Sequence, residues 1–202
     1  MKTISLKIKL LLIVLFSCFC FTGCIVQSLN PYFTENSVLE YPEVEGQWIL
    51  VKEYGKDIIS KNVKPWTIEG GLIQAYNQKD VKSALEATFF KVKDTLFLDI
   101  YPESPDETIG FYWTAHLVPV HCVYKVHLEK DRLTLTPLDY EWLKEECREG
   151  RVDLQSQWYN DEKDFLFTAS SSEWIVFLEK YRDNPKSFPS EKAYVLKSQK
   201  RN

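Results

Sequence analysis

The sequence predicts a mainly β fold with one or two peripheral helices, and three observations carry that expectation. Apolar and polar residues alternate within several short runs, turn-forming residues separate the runs at hairpin distances, and only two segments repeat apolar residues at helical spacing. No internal repeat or low-complexity tract interrupts the pattern.

The first strand is expected at Gly46-Gln47-Trp48-Ile49-Leu50-Val51, and further strands at 72–76, 87–92, 95–101, 117–128, 132–136, 165–168 and 192–197. Within 117–128, Val123, Lys125 and His127 share one face while Cys122, Tyr124, Val126 and Leu128 share the other. The second set is the expected core face. Pro119 cannot donate to a ladder, so it starts that strand proper or sits at a bulge or edge. Lys93-Asp94, Lys130-Asp131 and residues 102–106 supply turn chemistry between the runs.

Ser170-Ser171-Ser172-Glu173 reads as a capping box, in which a serine oxygen accepts a first-turn amide and Glu173 reaches back. Trp174, Phe177, Leu178 and Tyr181 follow at helical spacing until Asn184-Pro185. A second helix is expected over 139–149, where Leu138, Trp142, Leu143 and Cys147 make a narrow apolar stripe ended by Gly150.

The N-terminus carries a different kind of signal. Lys2, Lys7 and Lys9 precede an uncharged run over 10–21, and the small Gly23 stands before Cys24. That order marks an export signal over 1–23, with Cys24 as the first mature residue. Phe21-Thr22-Gly23-Cys24 resembles the lipobox of bacterial lipoproteins, which implies a diacylglyceryl group on Cys24. Several acyl chains on one cysteine hold a protein firmly, at about 0.8 kcal/mol per buried methylene. An ordinary signal peptide or an uncleaved span is the alternative. By resemblance to lipoprotein sorting, Ile25 rather than Asp after the cysteine favours the outer membrane, facing the periplasm, over the inner membrane. Residues 24–45, with Pro31, Asn36 and Pro42, are expected to form a lipidated tether, and residues 46–202 a single barrel-like domain.

Removing residues 1–23 from 202 leaves 179, the size of one domain with a substantial core. Those 23 residues carry three lysines and no acid, so the net charge falls from −4 to −7. An acidic body argues against nucleic acid and against electrostatic membrane binding, leaving the lipid as the membrane contact. Cys18 and Cys20 leave with the signal, so Cys122 and Cys147 remain. Export to an oxidising compartment makes them a candidate disulfide, and two buried free thiols are the alternative.

Gly46-Gln47-Trp48, set after an irregular lead and followed by many short strands, a late helix and a final strand, resembles the lipocalin or calycin pattern. The resemblance implies an up-and-down antiparallel barrel with Trp48 plugging one end and a late basic residue, Lys197 or Arg201, packed over its ring. Closure also has a physical reason. It removes edge strands, and about eight strands enclose either a packed interior or one small apolar ligand. The mature start Cys24-Ile25-Val26-Gln27-Ser28-Leu29-Asn30-Pro31 is similar to an uncharacterised family of bacterial lipoproteins beginning Cys-x-x-Gln-Ser-Leu-Asn-Pro. That likeness extends through Phe97-Leu98-Asp99, residues 116–121 and Thr168-Ala169-Ser170, and it implies no activity.

Catalytic chemistry has little footing. There is no Gly-x-Ser-x-Gly, no His-Glu-x-x-His, no phosphate-cradling glycine loop and no Ser-x-x-Lys. Asp99 and Glu103 are a candidate carboxylate pair, with a plain acidic surface as the alternative. His121 and His127 share a strand face about 20 Å apart, too far for one ion, while His116 points away. No enzyme, cofactor or metal site is expected. Trp48, Trp66, Trp113, Trp142, Trp158 and Trp174 suit a barrel mouth holding an apolar small molecule or lipid, and equally suit ordinary core. Two functions remain: a lipid-anchored binding module, or an interaction protein whose solid barrel docks an envelope partner.

Overall fold

In a computed structural model, which describes residues 25–59, 63–76, 81–103, 117–159 and 164–199, eight antiparallel strands close into a barrel. β1 (Gly46–Glu53) carries a two-residue extension, β2 (Lys56–Asp57), and pairs with β3 (Trp66–Glu69). The wall then runs through β4 (Leu72–Tyr76), β5 (Lys82–Val92), β6 (Thr95–Pro102), β7 (Cys122–Glu129) and β8 (Arg132–Pro137). The last strand, β11 (Tyr194–Ser198), pairs with both β8 and β1, so no long edge is left open among the described residues.

Between β8 and β11 the chain builds a second layer against the outside of the barrel. It consists of α1 (Tyr140–Arg148), a separate hairpin of β9 (Ser156–Tyr159) and β10 (Asp164–Phe167), and α2 (Ser171–Tyr181). Both helices begin as their sequences direct. Asp139 Oδ1 accepts the Trp142 amide at 2.9 Å, and Ser170 and Glu173 complete the capping box of α2.

Two cores follow from the strict alternation of the strands. Inside the barrel, Trp48, Leu50, Ile68, Ile73, Phe89, Leu98, Tyr124, Val126, Leu135 and Leu196 are buried together. Cys122, Tyr124, Val126 and Leu128 do form the interior face of β7. On the outer wall, Phe90, Phe97 and Val123 pack beneath Leu143, Phe165, Trp174, Phe177 and Leu178 of the second layer. The same strands are therefore apolar on both faces over β5 to β7, which blurs the alternation a one-sided barrel would display.

The barrel has two unlike ends. At one, tight turns join β3 to β4, β5 to β6 and β7 to β8, with Gly70 and Gly71 at φ +57° and +77° in the first. Trp48 sits inside this end and donates Nε1–H to the Val44 carbonyl at 2.7 Å, and Val44 is buried beside it. The turn from β1 to β2 and the connections from β4 to β5 and from β6 to β7 leave from the other end, the mouth, whereas β2 runs back antiparallel to β1 before β3.

Several expectations need correction. β2, β3 and β9 were not foreseen, because each spans four residues or fewer and shows too little alternation. The run expected at 165–168 is a strand, and it lies in the outer hairpin. The strand expected over 117–128 joins the ladder only from Cys122, after Pro119. Lys197 does not pack over Trp48. It pairs opposite Ile49, points outward and lies 3.8 Å from Asp131. Arg201, His116, Trp113, Cys24, the signal over 1–23 and most of the expected turn at 102–106 lie outside the described residues.

The largest correction concerns residues 25–45, which are no leash. Val26, Tyr32 and Val44 are among the most buried residues of the protein. The prolines and asparagines that break periodicity here mark an irregular segment held by tertiary contacts rather than a free one.

Candidate functional site

The segment that follows Cys24 is stitched across the outer wall of the barrel. Ile25 bridges Asp139. Ser28 exchanges backbone hydrogen bonds with His121, donating at 3.1 Å and accepting at 2.8 Å. On its other side, Leu29 donates to Phe167 at 2.9 Å and Phe167 donates to Gln27 at 3.0 Å. Residues 27–29 thus fill the gap between the lead into β7 and the end of β10.

Side chains close the stitch. Trp174 Nε1–H donates to the buried Ser28 hydroxyl at 2.9 Å, and that hydroxyl donates to the Asn30 carbonyl at 2.6 Å. Asn30 Nδ2 donates to the Thr168 and Ala169 carbonyls, both at 3.1 Å, and the Ser171 hydroxyl donates to the Pro31 carbonyl at 2.8 Å. The Tyr32 amide donates to Asp99 Oδ2 at 2.8 Å, while the Tyr32 ring lies 4.4 Å from that of Trp174.

Asp99 is the one acidic side chain of β6, and it faces outward into this stitch with 2 % of its surface exposed. His121 Nδ1 stands 2.7 Å from Asp99 Oδ1, and the Tyr101 ring covers the imidazole at 4.5 Å. Burial raises the Asp99 carboxyl above its ordinary value, opposed by the hydrogen bonds from His121 and Tyr32. Asp99 therefore pairs with His121 and not with Glu103, which is exposed. The pair is buried under the N-terminal segment, and what it does there is hold that segment.

His127 is exposed on the outer face of β7, and no group of three metal-ligating side chains forms among the described residues. Cys122 and Cys147 are free thiols rather than the candidate disulfide. The barrel wall separates them: Cys122 packs with the interior core, and Cys147, on α1, with the outer one. Burial pushes the Cys122 thiol up to about 12 and the Cys147 thiol up to about 11, far from a reactive thiolate. Ser170 is the α2 cap and Ser171 serves the stitch.

The mouth is the second feature. Trp66, Leu85, Ile100, Cys122 and Tyr194 are half-buried interior residues, joined by Ile58 and Val63. The Tyr194 ring lies 5.2 Å from Tyr54, 6.1 Å from Tyr124 and 6.4 Å from Trp66. Burial raises the phenols of Tyr124 and Tyr194 well above the ordinary value, so both remain neutral donors.

The sequence pointed to Asp99 and His121 but missed Ser28, Asn30, Tyr32, Asp139, Tyr54 and Tyr194. The polar pattern Gln27-Ser28-Leu29-Asn30 was the available signal, since its small hydrogen-bonding side chains suit a buried stitch.

Fold and site together define a lipocalin-like barrel with a docked N-terminal segment and a second layer on one flank. Comparison with family models, with curated proteins and with solved structures finds no match. No helix among the described residues is long and apolar enough to cross a membrane.

Proposed function

We propose that the chain is a lipid-anchored envelope protein, acylated on Cys24 and facing the periplasm from the outer membrane, whose barrel mouth holds a small apolar molecule or lipid. The reading is non-enzymatic. The observation that carries the binding role is the set of half-buried side chains Trp66, Leu85, Ile100, Cys122 and Tyr194 packed on the interior core. Half-buried apolar side chains cost free energy when left against water, and beside phenolic donors they suit an acyl chain.

The anchor has its own support. The segments behind the lipoprotein resemblance, 27–31, Asp99, His121 and 168–170, meet in one stitch directly after Cys24. Cys24→Ala is expected to abolish acylation and release the protein from membranes, and unchanged fractionation would overturn the anchor.

For the mouth, titration of the non-acylated chain from residue 25 with a fluorescent long-chain fatty acid is expected to give saturable binding. Ile100→Lys is expected to weaken it at least about tenfold by placing a charge among these apolar side chains. No saturable binding to the unaltered chain would favour a second reading, an interaction protein docking an envelope partner. The burial of Leu98, Tyr124 and Leu196 inside the barrel supports that alternative.

A further inference from the structure

The hairpins β5–β6 and β7–β8 lie side by side in the wall, yet they part before they reach their turns. The ladder between β6 and β7 ends at Phe97 and Lys125. Beyond that pair both strands continue with their outer neighbours. Leu96 stands opposite Lys91 and Thr95 opposite Val92, while Val126 to Glu129 stand opposite Leu135 to Arg132. The β6–β7 register carried two residues further would set Leu96 against Val126 and Thr95 against His127, and those pairs do not form. The wall is therefore split at the end that carries the tight turns.

The split has a definite chemistry. Glu129 and Arg132 close the β7–β8 turn as a hydrogen-bonded pair, so by alternation Leu128 directs its amide and carbonyl away from β8 and into the split. The gap forms a cleft of about 350 Å³, at the small end of the range for small-molecule sites. Leu96, Val126 and Leu128 supply its apolar lining, and Tyr41, from the segment leading into β1, borders it too. Lys91 and His127 line it as well, both exposed and neither joined through its side chain to another group among the described residues. Lys125 completes the basic side, its Nζ donating to the Arg182 carbonyl at 2.6 Å and standing 3.5 Å from Asp183. Asp94 is the single acid of the lining, so on a chain of net charge −4 the cleft is a local excess of base.

We propose that this split binds a small amphipathic carboxylate, its head held by Lys91 and His127 and its apolar part, one aromatic ring or a short alkyl chain, against Leu96, Val126 and Leu128. A carboxylate can accept from the ammonium, the imidazole and the Leu128 amide, and charge-assisted hydrogen bonds of this kind are the stronger ones. The wedge closes two residues in, where Phe97 meets Lys125, which is too short to pair an added strand and excludes an extended peptide. The site lies at the opposite end of the barrel from the mouth. It depends neither on acylation nor on the binding role proposed above.

The test titrates the full chain with 4-fluorobenzoate, followed by its fluorine resonance, with the neutral 4-fluorobenzamide as the charge control. Saturable binding of the carboxylate, and weaker binding of the amide, are expected. Lys91→Met keeps the length of the side chain without its charge and is expected to weaken carboxylate binding about three- to fivefold, the scale of one exposed charge. Asp94→Asn removes the opposing charge and is expected to strengthen binding, by up to about the same factor. Lys52→Met removes a cation that pairs with Asp57 on β2, outside the cleft, and is expected to leave binding unchanged. No saturable binding of the carboxylate, equal affinity for the amide, or the same affinity in Lys91→Met as in Lys52→Met would each overturn the proposal.

Discussion

The Tyr32 amide and the Asp99 carboxylate meet at 2.8 Å, joining a segment read as a tether to the outer wall of β6. His121 completes the arrangement at 2.7 Å from the other carboxylate oxygen. A carboxylate that accepts two hydrogen bonds in a buried setting holds both donors in place, and losing it leaves both unsatisfied. Asp99→Ala is expected to cost about 2–3 kcal/mol in urea unfolding. It should also speed amide exchange over residues 26–32 more than over the interior of β11. Equal exchange in the two regions would show that Asp99 does not hold the segment.

Asp99 also gives a signed pH dependence. Because burial raises its folded carboxyl above the unfolded value, the charged form is the less favoured one in the folded state. Its contribution to stability is greatest below the ordinary carboxylate range and is lost as pH rises through the folded value. Asp99→Asn keeps an acceptor for the Tyr32 amide without the charge. Its stability relative to the unaltered chain is expected to improve from pH 3 toward pH 6, measured by parallel urea titrations. A difference that stays flat with pH would contradict the assignment.

Cys122 and Cys147 predict a redox and an alkaline response. As free thiols, they leave the melting temperature unchanged by reductant. Their folded pKa values lie above the unfolded ones, so the stability they contribute is complete below the ordinary thiol range and is lost between that range and about 11 to 12. Maleimide labelling at pH 7 is expected to be slow in the folded chain and fast in urea. A drop in melting temperature on reduction would mean that a disulfide does form.

Trp48 seals one end through its ring and through its hydrogen bond to Val44. Trp48→Ala is expected to cost about 3–5 kcal/mol, as other large-to-small core changes do. Trp48→Phe keeps most of the fill and loses the donor, at about 1–2 kcal/mol. Denaturant midpoints for the two variants separate packing from hydrogen bonding, and equal losses would refute the plug.

Gly55 tests the turn between β1 and β2. Its φ is +72°, and an added Cβ would stand 2.8 Å from the Glu191 carbonyl oxygen, whereas Gly70 at φ +57° has open space. Gly70→Ala is expected to cost about 1 kcal/mol from backbone strain alone. Gly55→Ala should cost distinctly more, because a backbone carbonyl has to move. Equal melting temperatures for the two variants would remove the close approach as a constraint.

The β class, the barrel suggested by the Gly46-to-Trp48 opening, both helices, the Ser170–Glu173 cap of α2, and the interior face of β7 were legible in the sequence. The barrel came from a resemblance, and the others depend on local periodicity or on a cap whose partners lie within four residues. The buried role of residues 25–45 was not legible, because Ser28 finds Trp174 and Tyr32 finds Asp99 across long stretches of chain. Irregular composition says only that no repeating ladder forms, and it cannot say whether the hydrogen bonds are met by water or by distant side chains. The separation of Cys122 from Cys147 has the same origin, since a wall one residue thick puts neighbouring side chains into different cores. Sequence alone thus determined the longer strands, both helices and the interior face of β7. Which faces meet, and the placement of Ile25 against Asp139, were decided by tertiary packing, where burial and long-range hydrogen bonds outweigh local preference.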